Sequence, residues 1–211
     1  MGQNRGQTIS CGSEAELRPV TISYLQMLQA PISLAPPLAA DFEIKQAELV
    51  TPELVRWLYS VVGGPYHWTG RLGWSRQEWL QELADVGCEV WLLYWRGTPA
   101  GYCQLQAAVD YHPDGSARSQ TEILYFGLME WAQGRGAGSF FLEHMVRQAW
   151  TINLRQPLPP VHRIWVHTCS LDGPRALTNY RARGFRVYRT EVQEEIVLKQ
   201  ALTSWDTMFC R

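Results

Sequence analysis

The chain has 211 residues, 46% of them hydrophobic and 18% charged, with a formal net charge of -1. That is enough apolar material for one globular domain with modest extensions, and it excludes wholesale disorder. The near-neutral balance gives no basic excess for nucleic acid or an anionic membrane surface, and no apolar run reaches the 18 or so residues of a membrane span.

Residues 1–15 are polar and rich in Gly and Ser, with no apolar leader, which reads as the loose start of a cytoplasmic protein. A strand is predicted over about 20–27. Pro31, Pro36 and Pro37 then interrupt regular structure, so residues 1–40 read as an N-terminal extension. A second strand is predicted over 42–49. Thr51 is a good N-cap with Pro52 at the first helical position, and Leu54, Val55, Leu58 and Val62 follow at helical spacing until Gly63-Gly64-Pro65. After the aromatic stretch 66–74, Ser75 and Glu78 form a capping box for a second helix with Trp79, Leu80 and Leu83 as its apolar stripe, closed by Gly87.

Three strands follow. Residues 89–95 and 100–109 form a hairpin about Arg96-Gly97-Thr98, and 122–129 is apolar on both faces and so belongs in the middle of a sheet. Residues 136–150 carry Phe140, Phe141, Met145 and Ala149 at helical spacing. A proline-rich link leads to a strand over 162–168. Asp172 is placed to cap a helix with Pro174 in its first turn, ending at Gly184, and 185–191 with 195–199 reads as a closing hairpin. The predicted class is α+β (an α/β three-layer), with a mixed, mostly antiparallel central sheet flanked by helices. The domain is expected over 41–200, with a tail over 201–211. The five cysteines are scattered without a C-x-x-C pair, which reads as reduced thiols and no metal site.

Gln133-Gly134-Arg135-Gly136-Ala137-Gly138-Ser139 lies between a strong strand and a strong amphipathic helix. Glycines let the backbone turn tightly and approach a ligand, and the first amides of a helix have no internal partner and carry the positive end of its dipole. Such a turn suits a pyrophosphate. A dinucleotide fingerprint would need a glycine at 139, where Ser139 stands, and a P-loop would need a Gly-Lys pair that this turn lacks.

What remains resembles the GNAT superfamily of N-acetyltransferases, whose signature is Gln or Arg, two residues, Gly, one residue, then Gly or Ala. Gln133, Gly136 and Gly138 satisfy it. Residues 172–185 resemble the family's second cofactor motif, with Ala176, Tyr180 and Gly184-Phe185 at the usual spacing, although Gly173 stands where the family often has Asn. The resemblance covers about three quarters of the chain.

The resemblance implies that acetyl-CoA is the co-substrate, with no metal. It implies pyrophosphate on the amides of Gly134, Arg135, Gly136, Ala137, Gly138 and Ser139, a pantothenate arm along the backbone at Leu128 and Met129, and contacts from Gln133 and Asn179. The reaction needs a base for the amine and an acid for the leaving thiolate. Glu122, eleven residues before Gln133, is the expected base. Tyr180, the family's second-motif tyrosine, is the expected acid. The oxygen donor is expected from a backbone N–H near Leu128. Tyr66, Trp68 and Trp74 are expected to shape the acceptor pocket, and His167, near the end of a central strand, is placed close to the cofactor.

The reading is an N-acetyltransferase acting on a primary amine of a small molecule or peptide, with no nucleic acid or membrane partner. A homodimer is compatible with it. A catalytically silent acyl-CoA sensor and an enzyme using a longer acyl donor are the alternatives.

Overall fold

The computed structural model describes residues 14–32, 40–111, 113–203, 205 and 207. The expectations placed on residues 1–13, on Pro36 and Pro37 and on most of the tail lie outside the described residues. Among these, the order is β1 (Ala15–Met27), β2 (Phe42–Gln46), α1 (Pro52–Gly63), α2 (Arg76–Leu83), β3 (Cys88–Trp95), β4 (Thr98–Tyr111), β5 (Ala117–Leu128), α3 (Ala137–Trp150), β6 (Val161–Cys169), α4 (Ala176–Arg181) and β7 (Arg186–Leu198).

Local chemistry starts the first two helices as the sequence predicts. The Thr51 hydroxyl accepts from the Leu54 amide and opens α1, and Ser75 and Glu78 make the reciprocal capping box of α2. Each such cap is worth roughly 1 kcal/mol. Of the predicted α2 stripe, only Trp79 is buried. Arg96 and Gly97, at φ 50° and 76°, form the tight turn between β3 and β4.

The strands form one sheet of 7, in the order β2-β3-β4-β5-β6-β1-β7. Only β5 and β6 pair in parallel; the other pairs are antiparallel. The helices α3 and α4 pack on one face, where Phe141, Met145 and Tyr180 join Ile123, Ile164, Val166 and Leu25 in a core. On the other face α1 and α2 pack with Leu58, Tyr59, Val62 and Trp79 against Leu92, Tyr102 and Tyr125. No helix among the described residues is long and apolar enough to cross a membrane.

Two expectations are corrected. The closing hairpin is instead one long strand, β7, and its partner is β1, from Ala15↔Leu198 to Gln26↔Arg186. The stretch Val192-Gln193-Glu194 between the two expected strands is exposed edge strand, where polar side chains are compatible with pairing. Asp172 does not cap α4. That helix starts at Ala176 with no side-chain cap, and Pro174 precedes it.

Candidate functional site

A parallel pair that stops pairing opens a gap between its strands. The register of β5 and β6 runs from Ser119↔Val161 to Glu122↔Trp165, yet the strands continue to Leu128 and Cys169. The parting forms a cleft of about 1260 Å³ lined along β5 by Ile123 to Leu128 and on β6 by Val166, His167 and Cys169. At the same level β5 carries a bulge. Leu105 pairs with Ile123 and Gln104 with Tyr125, so Leu124 has no Cα partner on β4. Such bulges re-aim side chains and interrupt the ladder.

One end of the cleft is the glycine turn. Gly134 and Gly136 take φ 74° and 79°, a left-handed conformation that only glycine adopts cheaply, and Gly136 is the N-cap of α3 without a side-chain cap. No atom lies within 4 Å of where a Cβ would stand at either glycine. The turn therefore presents helix N-terminal amides in an open, positively polarised cradle, which fits a pyrophosphate. Gly134, Gly136, Gly138 and Ser139 line the cleft, but Ala137 and Arg135 do not. The guanidinium of Arg135 instead lies 4.3 Å from the ring centre of Trp95, which stacks on Trp131.

The opposite wall belongs to the β6–α4 connection and α4. Asn179 and Tyr180 line the cleft. The Tyr180 ring meets Phe126 and Phe185 edge-on at 6.5 and 5.8 Å, and burial, reinforced by the charge of Asp172, pushes its phenol well up so that it keeps its proton. Arg175 and Arg183 also line this wall, which the sequence reading missed. Arg183 donates from Nε to the Ser139 carbonyl at 3.0 Å and from Nη1 to the Asn179 carbonyl at 2.9 Å, so it ties α4 to the start of α3. Its position four residues after Asn179 was the available signal, since that spacing shares a helix face.

The aromatic stretch after α1 spans the cleft. The Tyr66 hydroxyl donates to Gln133 Oε1 at 3.0 Å, and Gln133 Nε2 donates to the Leu128 carbonyl at 3.1 Å. Trp68 Nε1 donates to Asp172 Oδ1 at 3.3 Å, while Asp172 Oδ2 accepts from the Thr168 hydroxyl at 2.5 Å and the Cys169 amide at 2.9 Å. Gly173 has a local reason: a Cβ there would stand 3.3 Å from Tyr66 Cε1. Between Tyr66 and Trp68, His67 takes φ 59°, and burial lowers its imidazole pKa. Trp74 does not line the cleft. It packs edge-on against Trp79 at 5.2 Å and under the guanidinium of Arg71, which does line it and pairs with Glu82.

Two further expectations move. Met129 is buried, its amide donates to the Ala100 carbonyl at 2.9 Å, and with the Leu128 carbonyl held by Gln133 the backbone here is already engaged. Glu122 is largely buried and does not line the cleft; its Oε1 lies 3.2 Å from Nδ1 of His167, which does. Among the described residues no group of three or more His, Cys, Asp or Glu is placed to hold a metal ion.

No family model and no curated protein matches the sequence. Solved structures do match. A GCN5-related N-acetyltransferase from Sphaerobacter thermophilus superposes with a TM-score of 0.55 at 15% identity, over 89% of this chain and 55% of that one. One from Kribbella flavida gives 0.51 at 13%, over 86% and 59%. An aminoglycoside acetyltransferase from an uncultured soil metagenomic sample, in complex with trehalose, gives 0.50 at 13%, over 75% and 97%. This chain thus spans little more than half the length of the first two. These likenesses are of architecture: the chain has the fold of the GCN5-related N-acetyltransferases.

Proposed function

We propose that the protein is an N-acetyltransferase that moves the acetyl group of acetyl-CoA to a primary amine of a small molecule or peptide, by direct attack with both substrates bound. The observation that carries this reading is the cleft between the parted strands, with the glycine cradle of α3 at one end and Tyr180 on its wall. The pyrophosphate sits on the amides around Gly134, Gly136 and Gly138, with Arg183 beside them. Arg175 adds positive charge on the same wall.

The amine nitrogen attacks the thioester carbon, forming the C–N bond and breaking the C–S bond. The proton leaving nitrogen is taken at the Glu122–His167 end of the cleft. The thiolate takes a proton from the Tyr180 hydroxyl, which regains it from solvent, so the products are an amide and free CoA. The bulge at Leu124 is the best placed backbone for polarising the thioester oxygen, in preference to the engaged backbone at Leu128 and Met129. Tyr66, Trp68 and Arg71 bound the acceptor side.

The test is direct. Purified protein is heated with and without saturating acetyl-CoA, then incubated with a panel of amines while free thiol is followed. Stabilisation together with amine-dependent thiol release supports the reading. Absence of both overturns it, and stabilisation without release from any amine favours a silent acyl-CoA sensor.

A further inference from the structure

The sequence singles out Glu122 as the base, but the cleft presents His167 instead. Glu122 lies between Thr121 and Ile123, both buried, and Ile123 belongs to the α3 core, so by strand alternation Glu122 points to the opposite face. His167 lies beside Val166, which joins that same core, so its ring shares the face of Glu122. The carboxylate side chain is 14% exposed and does not reach the cleft, whereas the imidazole is 44% exposed and lines it. Their contact is Nδ1 to Oε1 at 3.2 Å.

A carboxylate can only accept, so Nδ1 carries the proton in this pair and Nε2 is left with the ring's lone pair. Tyr24 on β1 and Trp165 on β6 flank the imidazole, their ring centres at 6.0 and 6.3 Å. Resting on the acetyl-transfer reading above, the geometry points to His167 as the catalytic base that takes the amine proton at Nε2, with Glu122 as the residue that positions it.

The proton balance is simple. As the C–N bond forms, the nitrogen's proton passes to Nε2, and the imidazolium faces the Glu122 carboxylate until it releases that proton to solvent. The charged and titratable groups tied to the two flanking rings are Tyr24 itself on β1, Tyr188, Arg189 and Glu191 on β7 and Arg163 on β6, and Glu195 of β7 also lines the cleft. Arg189 lies 3.9 Å over the Tyr24 ring, Glu191 accepts from the Tyr24 hydroxyl at 3.3 Å, and Arg163 lies 5.8 Å over Trp165. The rings that flank His167 thus carry charges of both signs.

The experiment compares His167→Gln and Glu122→Gln with the unaltered chain. It reads acetyl-CoA binding, turnover against pH, and the imidazole ¹⁵N shifts. His167→Gln should bind acetyl-CoA as before, lose 10²-fold or more in turnover, and lose the fall in rate toward acid pH. Glu122→Gln should lose about tenfold and keep that acid limb, because the base itself is still present. His167→Gly should regain activity with added imidazole. In the unaltered protein the neutral ring should show the Nδ1–H tautomer, and Glu122→Gln should mix the two tautomers.

A loss in Glu122→Gln as deep as in His167→Gln, or an acid limb that survives in His167→Gln, overturns the assignment and returns the base to Glu122. The Nε2–H tautomer in the unaltered chain also overturns it, whatever the turnover. Failure of the unaltered protein to bind acetyl-CoA or release thiol marks failure of the acetyl-transfer reading instead.

Discussion

The hydroxyl of Tyr66 and the side-chain amide of Gln133 are joined at 3.0 Å, so the segment following the first helix is fastened to the residue that begins the glycine turn. Gln133 in turn reaches the Leu128 carbonyl, and the three groups form a short relay across the cleft. Tyr66→Phe removes one exposed hydrogen bond, worth about 0.5–1.5 kcal/mol net. Acetyl-CoA affinity, measured calorimetrically, is expected to fall by about 2–10-fold with turnover at saturation little changed. Tighter binding would mean that the relay competes with the co-substrate instead of preparing the turn.

Gly136→Ala tests the cradle through its backbone alone. No atom stands near an added Cβ, so the cost is that of holding alanine at φ 79°, about 1–2 kcal/mol. Thermal unfolding should shift down by about 2–8 °C, and acetyl-CoA should stabilise the variant less than the unaltered chain. Gly127→Ala makes the contrast. Its Cβ would meet Val62 Cγ1 at 2.4 Å, so its loss comes from crowding against α1.

Tyr180→Phe keeps the ring among Phe126 and Phe185 and removes only the hydroxyl. Turnover should drop by about 10²-fold or more, with the Michaelis constant for acetyl-CoA changed less than threefold, in steady-state assays of thiol release. Since burial holds the phenol protonated, loss of its proton should not limit the rate at neutral pH.

Alkaline pH should destabilise the fold through buried thiols and phenols. Burial pushes Cys88 up to about 12, Cys169 to about 11 and Tyr59 to about 12, and it raises Cys103 and Tyr102 strongly. The folded chain holds these protons more tightly than the unfolded chain. Their contribution is therefore fully present below the ordinary thiol value of 9.0 and is lost as pH rises through the folded values. The loss approaches 1.4 kcal/mol per pH unit for each group. Denaturant midpoints should be flat from pH 7 to 8.5 and fall above about 9. Cys103→Ala should show a shallower fall, although its starting stability is lower.

Much of the architecture is written in local chemistry. Thr51 before Pro52, Ser75 with Glu78, and Arg96-Gly97 each act within a few residues, and each starts or turns an element where the sequence says it should. The glycine turn is legible for the same reason. Contacts between distant residues are not. Nothing near Asp172 announces that it accepts from Trp68, and the contact of Glu122 with His167 depends on β5 and β6 lying side by side. Arg135 illustrates the limit from the other direction: a basic residue inside a phosphate-type turn, spent on the face of Trp95. The polar edge strand β7 reads as a hairpin in the sequence because its ladder partner among the described residues, β1, lies far from it along the chain.

That partnership has a consequence for how the molecule is assembled. Strand β1 is made before β2 to β5, yet both of its neighbours, β6 and β7, are made after them. Until then β1 must wait with both edges unsatisfied, while β2 to β5 can already form their antiparallel ladders. Long-range closure of this kind is slow, because a large loop must be ordered before any pairing rewards it. The far wall of the cleft, carried by β6, should therefore mature after the near wall. Early-stopped translation products should accumulate as half-sheets that are prone to aggregate.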